Sequence, residues 1–303
     1  MTATVVEATE RPAYRAFEVR VAARTQLSPH FVRLTFTGDD LHEFGTAGLD
    51  QRIKLILPHP VTGMETFPRK QDWYSDWRLQ DEDSRCDVRT YTVRAVRQEL
   101  REVDVDFVCH GDTGPGSAFA CYATVGDELI IIGPDDLSPG RELGIDYRPG
   151  FVDSHLLVGD ETAAPAICAI IESLGADARG LAVIEVPSAD DALHVDAPAG
   201  MTVKWLAREG ARGERLTAEV RDWVARTCAA RCCDTCDIAA LEIPDDELLW
   251  EVPEGTSADG GLYAWLAGEA GVIRSLRRFL VGDAGMDRRR VAFMGYWRVG
   301  AES

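Results

Sequence analysis

Hydrophobic and polar residues alternate along much of the first half of the chain. Phe17, Val19 and Val21 alternate with charged residues, and Val103 and Val105 alternate with acidic ones. Because successive side chains of a strand point to opposite faces, such segments predict strands that bury one face. Segments of this type lie near residues 17–21, 32–36, 53–57, 88–94, 103–107 and 129–132. With no long amphipathic helix between them, they predict a six-stranded antiparallel β-barrel over residues 13–148.

The pattern changes near Pro149, where short apolar segments begin to alternate with stretches of helical periodicity. The apolar segments lie near 155–159, 181–186, 201–206, 261–266 and 291–296, and the helical stretches around 165–174, 216–224 and 272–280. Strands joined by helices favour a parallel sheet that is covered on both faces. We therefore predict an α/β domain of the nucleotide-binding type over residues 149–303. In such a pairing, a flavin can sit on the barrel while a second electron carrier docks at the sheet edge.

Charge and hydropathy exclude several classes of function. The chain has 303 residues and a net charge of −19, so nucleic acid and anionic membrane surfaces would repel it. None of its apolar runs is long enough to span a bilayer. The N-terminal residues carry acids early and lack the pattern of a signal peptide, so we expect the protein to stay in the cytoplasm.

The eight cysteines fall into two groups. The first group reads as scattered thiols of a reducing compartment: Cys86, Cys109, Cys121 and Cys168. The second is crowded into nine residues, at the start of an acidic insertion near 228–259: Cys228, Cys232, Cys233 and Cys236. Four thiolates at this spacing can bind zinc or an iron–sulfur cluster, although the spacing matches no common motif. Disulfides formed on purification are the alternative.

The first candidate site is a strand with the sequence Arg-Thr-Tyr-Thr-Val-Arg over residues 89–94. Arg89 and Tyr91 would share one face of this strand. A tyrosine in that place can lie flat against an isoalloxazine ring, and the arginine offers a fork for phosphate. The main chain and hydroxyl of Thr92 can bond the flavin edge. Alternatively, this is an ordinary threonine-rich barrel strand.

The second candidate site is a turn rich in glycine and serine, which follows a strand and opens a short helix over residues 110–120. The start of a helix presents unpaired N–H groups and the positive end of the helix dipole, and both suit a pyrophosphate. His110 would cap or flank the site. A tight connection without a ligand is the alternative reading.

Together, R-x-Y-T and the later H-G-x-x-G-P-x-S-x-(aromatic)-A resemble the siderophore-interacting protein family, FAD-binding relatives of the ferredoxin reductases. Segments at 159–166, 268–270, 277–278 and 295–300 resemble the same family. Two positions depart from its pattern: Gly116 stands where relatives often carry alanine, and Phe119 replaces a common tryptophan. The resemblance implies non-covalent FAD, and we predict these contacts: Arg89, Thr90, Tyr91, Thr92, Val93, Asp106, His110, Gly114, Pro115, Gly116, Ser117, Thr162 and Ala163.

The electron donor is predicted to bind where the strands of the α/β domain end. The usual GxGxxG fingerprint is absent there. Thr162 could cap the helix that follows the first strand, whereas the neighbouring acids could simply favour a helix start. The predicted contacts to NAD(P)H are Gly159, Asp160, Glu161, Arg208, Gly268 and Glu269. Reduced ferredoxin is the alternative donor; Arg208 and Arg288–Arg290 could meet it or a 2′-phosphate, but the acidic chain favours NAD(P)H.

The function predicted from these features is reduction of ferric siderophores, with electrons passing from NAD(P)H through FAD and Fe(II) released in the cytoplasm. No acid or base of the protein is required. Anionic chelates call for cations, and the candidates are Lys54, Arg94 and Arg298, each of which could also be a plain surface charge. Two alternatives stay open: a reductase with a protein or free flavin as acceptor, and a siderophore-binding module without catalysis.

Overall fold

The computed structural model describes residues 11–70, 72–111, 114–228, 249–253 and 260–300, with the Cys228 side chain excluded. The described residues form two sheets. The strands of the first sheet lie between Tyr14 and Pro134, and those of the second lie between Ser154 and Trp297. Of the four cysteines predicted as a metal site, only the backbone of Cys228 is described. Cys232, Cys233 and Cys236 lie outside the described residues.

The first sheet is antiparallel throughout and has seven strands. They are β1 (Tyr14–Gln26), β2 (Phe31–Thr37), β3 (Arg52–Leu57), β4 (Asp87–Thr92), β5 (Ala95–Arg97), β6 (Glu102–Val108) and β7 (Glu128–Pro134). Their order is β4-β3-β7-β1-β2-β6-β5, so the two edge strands follow each other in the chain. At the bend between them, Val93 N donates to Gln51 O at 2.9 Å and Arg94 N donates to Asp104 O at 2.8 Å. The bend therefore closes the predicted barrel.

The barrel interior is filled by the residues that the alternating pattern singled out. Phe17, Leu34, Phe36, Val105 and Phe107 are fully buried in one cluster. Burying one side chain of this kind stabilises the fold by about 1.5–3 kcal/mol, so the alternation itself selects the strand conformation. The prediction of an antiparallel barrel is confirmed. The extra strand β5 has only three residues, too few to show an alternation.

The outer face of the barrel is covered by residues 58–86, which include α1 (Trp73–Arg78). Ile56 and Ile130 point to this face and are buried against Phe67, with Trp73 and Trp77 packed beside them. This packing explains why β3 breaks the strict alternation at Ile56, since both faces of the strand are covered there.

The second sheet has six strands: β8 (Ser154–Gly159), β9 (Arg179–Val186), β10 (Gly200–Ala207), β11 (Trp250–Glu251), β12 (Leu262–Glu269) and β13 (Val291–Trp297). In the order β10-β9-β8-β12-β13-β11, the first five are parallel, and β11 runs antiparallel to β13. The predicted parallel sheet is confirmed for these five strands, and the short β11 makes the sheet mixed at this edge. With two residues, β11 carries no periodicity that a sequence could show.

Helices cover both faces of the second sheet, as predicted. On one face, α3 (Ala164–Ser173) buries Ile167 and Ile170 against the strands. On the other, α4 (Glu214–Cys228) and α5 (Ala270–Arg277) bury Val220 and Ile273, and a π-helical turn over Arg278–Asp283 continues α5. No helix in the described ranges is both long and apolar enough to cross a membrane.

A buried carboxylate lies where the two sheets meet. Asp50 accepts hydrogen bonds from the backbone N–H of Tyr147 at 3.1 Å and from Trp265 Nε1 at 2.9 Å. Its side chain is almost fully buried, and burial raises the pKa of Asp50 from 3.8 to about 6. A group whose pKa is higher in the folded than in the unfolded state holds its proton more tightly in the folded state.

We expect this carboxylate to make stability depend on pH. As pH rises from about 4 to above 6, the wild type should lose about 3 kcal/mol of unfolding free energy relative to Asp50→Asn, which cannot titrate. Urea denaturation of both proteins across that range measures the difference. The exposed Asp190, replaced in Asp190→Asn, is the control and should give a flat difference. A flat difference for Asp50→Asn as well would contradict the expectation.

Candidate functional site

The strand with Arg89 and Tyr91 is β4, at one edge of the barrel sheet. It pairs with β3, which places Tyr91 opposite Ile53 and Arg89 opposite Leu55. The Tyr91 ring packs against Phe107, with ring centroids 4.4 Å apart. Burial raises the pKa of Tyr91 above its ordinary value, so the phenol stays protonated. Arg89 lies two residues along the same strand, one quarter exposed, with Asp87 3.3 Å from its guanidinium.

The glycine-rich turn opens α2 (Pro115–Tyr122), as predicted. The first intrahelical bond runs from Ala118 N to Gly114 O at 2.9 Å, so the N–H groups of Gly116 and Ser117 precede it and have no acceptor within the helix. Gly114 provides no side-chain cap. A helix start that no N-cap side chain covers, among the residues that the structure describes, suits an anion such as a pyrophosphate.

Ser117 also fixes the shape of the turn. Its hydroxyl accepts a hydrogen bond from His110 N at 2.8 Å and donates one to Gly111 O at 2.8 Å. Gly111 has φ +71°, a left-handed conformation that favours glycine. The side chain of Ser117 therefore holds the turn, which leaves its backbone N–H as the group offered to a ligand.

Gly116 brings the strand and the turn together. A Cβ at this position would overlap Tyr91 Oη, so the phenol lies directly against the helix start and would have to shift for any larger residue. The Tyr91 ring thus lies against the start of α2, and Arg89 is two residues away on the same strand. This set fits FAD, whose ring system needs an aromatic or apolar face and whose diphosphate needs N–H donors and a cation.

The structure gives several of the other predicted FAD contacts partners within the protein. Asp106 is buried and forms a two-pronged ion pair with Arg33 at 2.7 and 2.8 Å. Val93 lies in the barrel core, and Thr92 is buried opposite Arg52. Their roles toward FAD stay predictions. The sequence did not reveal Arg33 as the partner of Asp106, because the two are on different strands.

The expectation that Thr162 caps α3 is wrong. Its hydroxyl donates to Asp160 Oδ1 at 2.6 Å, and the helix begins after Ala163, which is fully buried. The reason is that Asp160 is itself buried and needs donors. It takes both the hydroxyl and the N–H of Thr162, the latter at 2.9 Å.

Asp160 also joins the carboxyl ends of three parallel strands. Besides Thr162 it accepts from Glu269 N at the end of β12 and from Trp297 Nε1 at the end of β13, both at 2.8 Å. Burial raises the pKa of Asp160, and the neighbouring charge of Glu161 adds to this. At Gly268, with φ +146°, a Cβ would crowd this carboxylate. Asp160 and Gly268 thus shape the edge at which a donor is predicted to bind.

Glu269 has a structural role at the start of the helix that follows β12. It is the N-cap of α5, where its carboxylate accepts from Val272 N at 2.9 Å. Gly159, at the end of β8, packs so closely against Ala163 and Ala267 that a Cβ would not fit. Contacts of these two residues with NAD(P)H stay predictions.

A cluster of charges lies beside this edge. Glu161 is buried and bonds to Arg208 and, at 3.1 Å, to Arg212. Arg208 also bonds to Glu185 at 2.9 Å, and His110 Nε2 of the barrel turn lies 3.9 Å from Glu161. Burial lowers the pKa of His110, which favours the neutral imidazole. Arg208 is therefore held by two carboxylates.

Sequence reasoning missed Glu185 and Arg212 at this edge. The signal for Glu185 was present, because it is a charged residue near the end of an otherwise apolar strand. Arg288–Arg290 immediately precede β13 and so lie at the amino edge of the sheet, opposite to the ends of β8 and β12. The expectation that they meet a donor phosphate at the same site is therefore wrong.

The three candidate cations for a chelate have different surroundings. Lys54 is at the surface beside β4 and donates to Thr90 Oγ1 at 2.6 Å; partial burial and nearby Arg52 lower its pKa. Arg94 is mostly buried and forms a two-pronged pair with Glu172 of the second domain at 2.6 and 2.8 Å. Arg298 is exposed, just after β13. Lys54 is thus a surface cation beside β4, whereas Arg94, two residues after β4, is tied to Glu172.

The described cysteines are free thiols, with Cys86 and Cys168 buried. Within the described residues, no group of three histidine, cysteine or acidic side chains could hold a metal ion. The prediction for Cys228, Cys232, Cys233 and Cys236 concerns side chains outside that part of the chain and stays a prediction.

Comparisons with known proteins agree with this picture. The model of the siderophore-interacting FAD-binding domain matches residues 20–137, and that of the siderophore-interacting protein matches residues 152–300. The ferric vibriobactin reductase ViuB of Vibrio cholerae is 28% identical over 274 residues, which cover 90% of this chain and 86% of ViuB. The NADPH-dependent ferric-chelate reductase of Escherichia coli K12 is 26% identical over 287 residues, 92% of each chain.

Among solved structures, a siderophore utilization protein from T. fusca superposes with a TM-score of 0.70 at 29% identity, over 96% of each chain. The fold and the site, taken with these matches, define a flavin-dependent oxidoreductase that binds FAD on its barrel domain. The chain belongs to the siderophore-interacting protein family.

Proposed function

We propose that this protein reduces ferric siderophores with electrons from a nicotinamide nucleotide and releases the iron as Fe(II) in the cytoplasm. The observation that carries the proposal is the contact between Tyr91 and Gly116, which joins a predicted ring-binding strand to the start of α2. The printed names of the relatives from V. cholerae and E. coli, a siderophore reductase and a ferric-chelate reductase, support it.

FAD, when bound, supplies the conversion between a two-electron hydride donor and single-electron delivery to Fe(III). The protein's own residues bind and orient the reactants. Arg89 and the N–H groups of Gly116 and Ser117 would hold the diphosphate, and Tyr91 would support the ring system. Because its pKa is raised, Tyr91 stays a neutral phenol and brings no charge to the ring.

The ferric chelate is proposed to dock beside Lys54. Many such chelates are anionic, and the ammonium of Lys54 is held at the surface by Thr90, one strand away from Tyr91. No carboxylate within the described residues forms a salt bridge with Lys54 or with Arg298. By contrast, the charge of Arg94 is already balanced by Glu172, so its contribution to the chelate site would be smaller.

The reaction is proposed to take place in the cytoplasm. A reducing compartment keeps cysteines as thiols, and the four described cysteines are all free. Release there also suits the chemistry, because Fe(II) binds oxygen-rich chelators more weakly than Fe(III) does.

An anaerobic mixing experiment tests the proposal. The purified yellow protein should be bleached by NADH or NADPH and should regain its visible flavin absorbance when a ferric siderophore is added, with Fe(II) collected by a ferrous-specific chelator. The gallium complex of the same siderophore is the matched control, since it has the same shape and charge but cannot be reduced. Reoxidation by free flavin or a protein acceptor, but not by the ferric complex, would overturn the proposal.

A further inference from the structure

The strand order places a nucleotide site at one particular edge of the second sheet. In the order β10-β9-β8-β12-β13, the direction of succession reverses between β8 and β12. Ligands of open α/β sheets bind outside the carboxyl ends of the strands at such a reversal. A small pocket lies there, lined among others by Asp160, Glu185, Arg212 and Gly268. This is the edge at which the hydride donor of the proposed function would bind.

Two buried carboxylates stand at the ends of the first two strands of this edge. Glu161 follows the end of β8, and Glu185 is the second-to-last residue of β9. Each has a relative exposure of 1%. In dinucleotide-binding sheets, an acid at the end of the second strand pairs with the ribose 2′-hydroxyl of NAD, whereas an arginine nearby accepts the 2′-phosphate of NADP. The identity of the charge at this place therefore distinguishes the two donors.

The arginines near the edge are already neutralised. Arg208 is shared by Glu161 and Glu185, and Arg212 pairs with Glu161 at 3.1 Å while stacking on Trp297, 4.7 Å from the ring centroid. Burial opposes the charge of Arg208, but its bonds to Glu185 and Glu161 raise its pKa, so it stays a cation bound to acids. These two arginines and two glutamates sum to zero charge.

The surrounding loop adds no net positive charge. Arg215 pairs with Glu209 at 3.2 Å, and Glu214 lies next to it at the start of α4. The lowered pKa of His110 keeps that ring neutral, so it does not tip the balance either. A 2′-phosphate carries nearly two negative charges and would meet a site in which Arg208, Arg212 and Arg215 each have an acidic partner.

We infer that NADH, and not NADPH, is the electron donor of this protein. The inference rests on the proposed function, because it names the donor for that reaction. The ribose hydroxyls of NADH bring no charge to the edge, so they need no cation there. The 2′-phosphate of NADPH would approach two buried acids, Glu161 and Glu185. Their negative charge is balanced only by the arginines that are already paired with them. The E. coli relative is named NADPH-dependent, so the inference separates this chain from that relative.

Binding of two fragments tests the inference without any turnover. Adenosine 5′-monophosphate and 2′,5′-adenosine diphosphate differ only in the 2′-phosphate, and calorimetric titration of the FAD-loaded protein with each measures what that group contributes. We expect the monophosphate to bind at least as tightly as the diphosphate. In anaerobic flavin reduction, NADH should exceed NADPH in kcat/KM by at least tenfold. Tighter binding of the diphosphate, or a preference for NADPH, would overturn the inference.

A charge-neutral variant gives a second measurement. Glu185→Gln keeps an acceptor for Gly213 N, which lies 3.0 Å away, but frees Arg208 from one acid. The preference for NADH over NADPH should fall by about tenfold. Glu219→Gln is the matched control, because it removes the same charge from a glutamate of α4, which pairs with Lys204 of β10 at 2.6 Å. This variant should leave the ratio unchanged. An unchanged ratio in Glu185→Gln would count against the inference.

The failure of this inference and the failure of the proposed function can be told apart. A preference for NADPH overturns only the choice of donor. If neither nucleotide bleaches the flavin while dithionite does, both the inference and the nucleotide-dependent function are wrong. If NADH bleaches the flavin but the ferric siderophore does not restore it, the donor stands and the acceptor is wrong.

Discussion

Replacing Gly116 with valine is expected to weaken FAD binding by about 100-fold. A Cβ at this position overlaps Tyr91 Oη, so the phenol and the helix start must move apart. Forcing extra methyl groups into a packed contact costs about 1–3 kcal/mol, and each 1.4 kcal/mol is tenfold in affinity. Titration of the apoprotein with FAD, followed by quenching of flavin fluorescence, measures the dissociation constant. Unchanged affinity would show that this contact does not form the FAD site.

A double substitution separates the clash from a general loss of structure. Gly116→Ala should weaken FAD binding by at most about tenfold, because its single methyl group meets Tyr91 Oη, although relatives often carry alanine here. Combining it with Tyr91→Phe removes that oxygen and should restore affinity to the level of Tyr91→Phe alone. Such a cycle isolates the pairwise term between the two positions. Additive losses in the double variant would contradict the assigned contact.

Asp160→Ala is expected to reduce the free energy of unfolding by about 3–5 kcal/mol. The substitution leaves four buried or partly buried donors without this acceptor: the hydroxyl and backbone N–H of Thr162, the backbone N–H of Glu269 and the indole N–H of Trp297. A buried donor without a partner costs about 1–3 kcal/mol. Urea denaturation measures the loss, and the exposed Asp177, replaced by alanine, is the control with an expected change below about 0.5 kcal/mol.

The free energy of unfolding of the conservative variant Asp160→Asn should lie between those of the wild type and of Asp160→Ala. The single oxygen of the amide still accepts a hydrogen bond, but the amide NH2 group replaces the other oxygen and would face donors. If Asp160→Ala is as stable as the wild type, the three strand ends are held by other contacts, and the role given to Asp160 is wrong.

The barrel could be predicted because its strands bury one face each. Phe17 and Phe36 alternate with polar residues, and this alternation is enough to place their strands. What could not be predicted was the pairing order, which joins β1 to β7 and closes the sheet through the bend at Val93 and Arg94. Nothing in the local sequence records which distant strand becomes a neighbour.

The site could be predicted as two motifs but not as a network. The strand of Tyr91 and the turn of Ser117 were both visible, because each has its own local pattern. The partners of the charged residues were not. Arg94 pairs with Glu172 and Arg208 with Glu185, residues that come together only after the sheets have formed. A cation read from sequence is thus a candidate until its carboxylate is known.

The ties between the two halves have a consequence for how this protein can be divided. Asp50 belongs to the barrel but takes the indole N–H of Trp265, and Asp191 belongs to the other half but bonds Ser28 and His30 of the barrel. Each acid sits in one module and finds part of its donors in the other. Cutting the chain near Pro149 would therefore leave each fragment with an acid that has lost part of its hydrogen-bond donors. Neither half could be expressed alone without redesign of the surface around that acid.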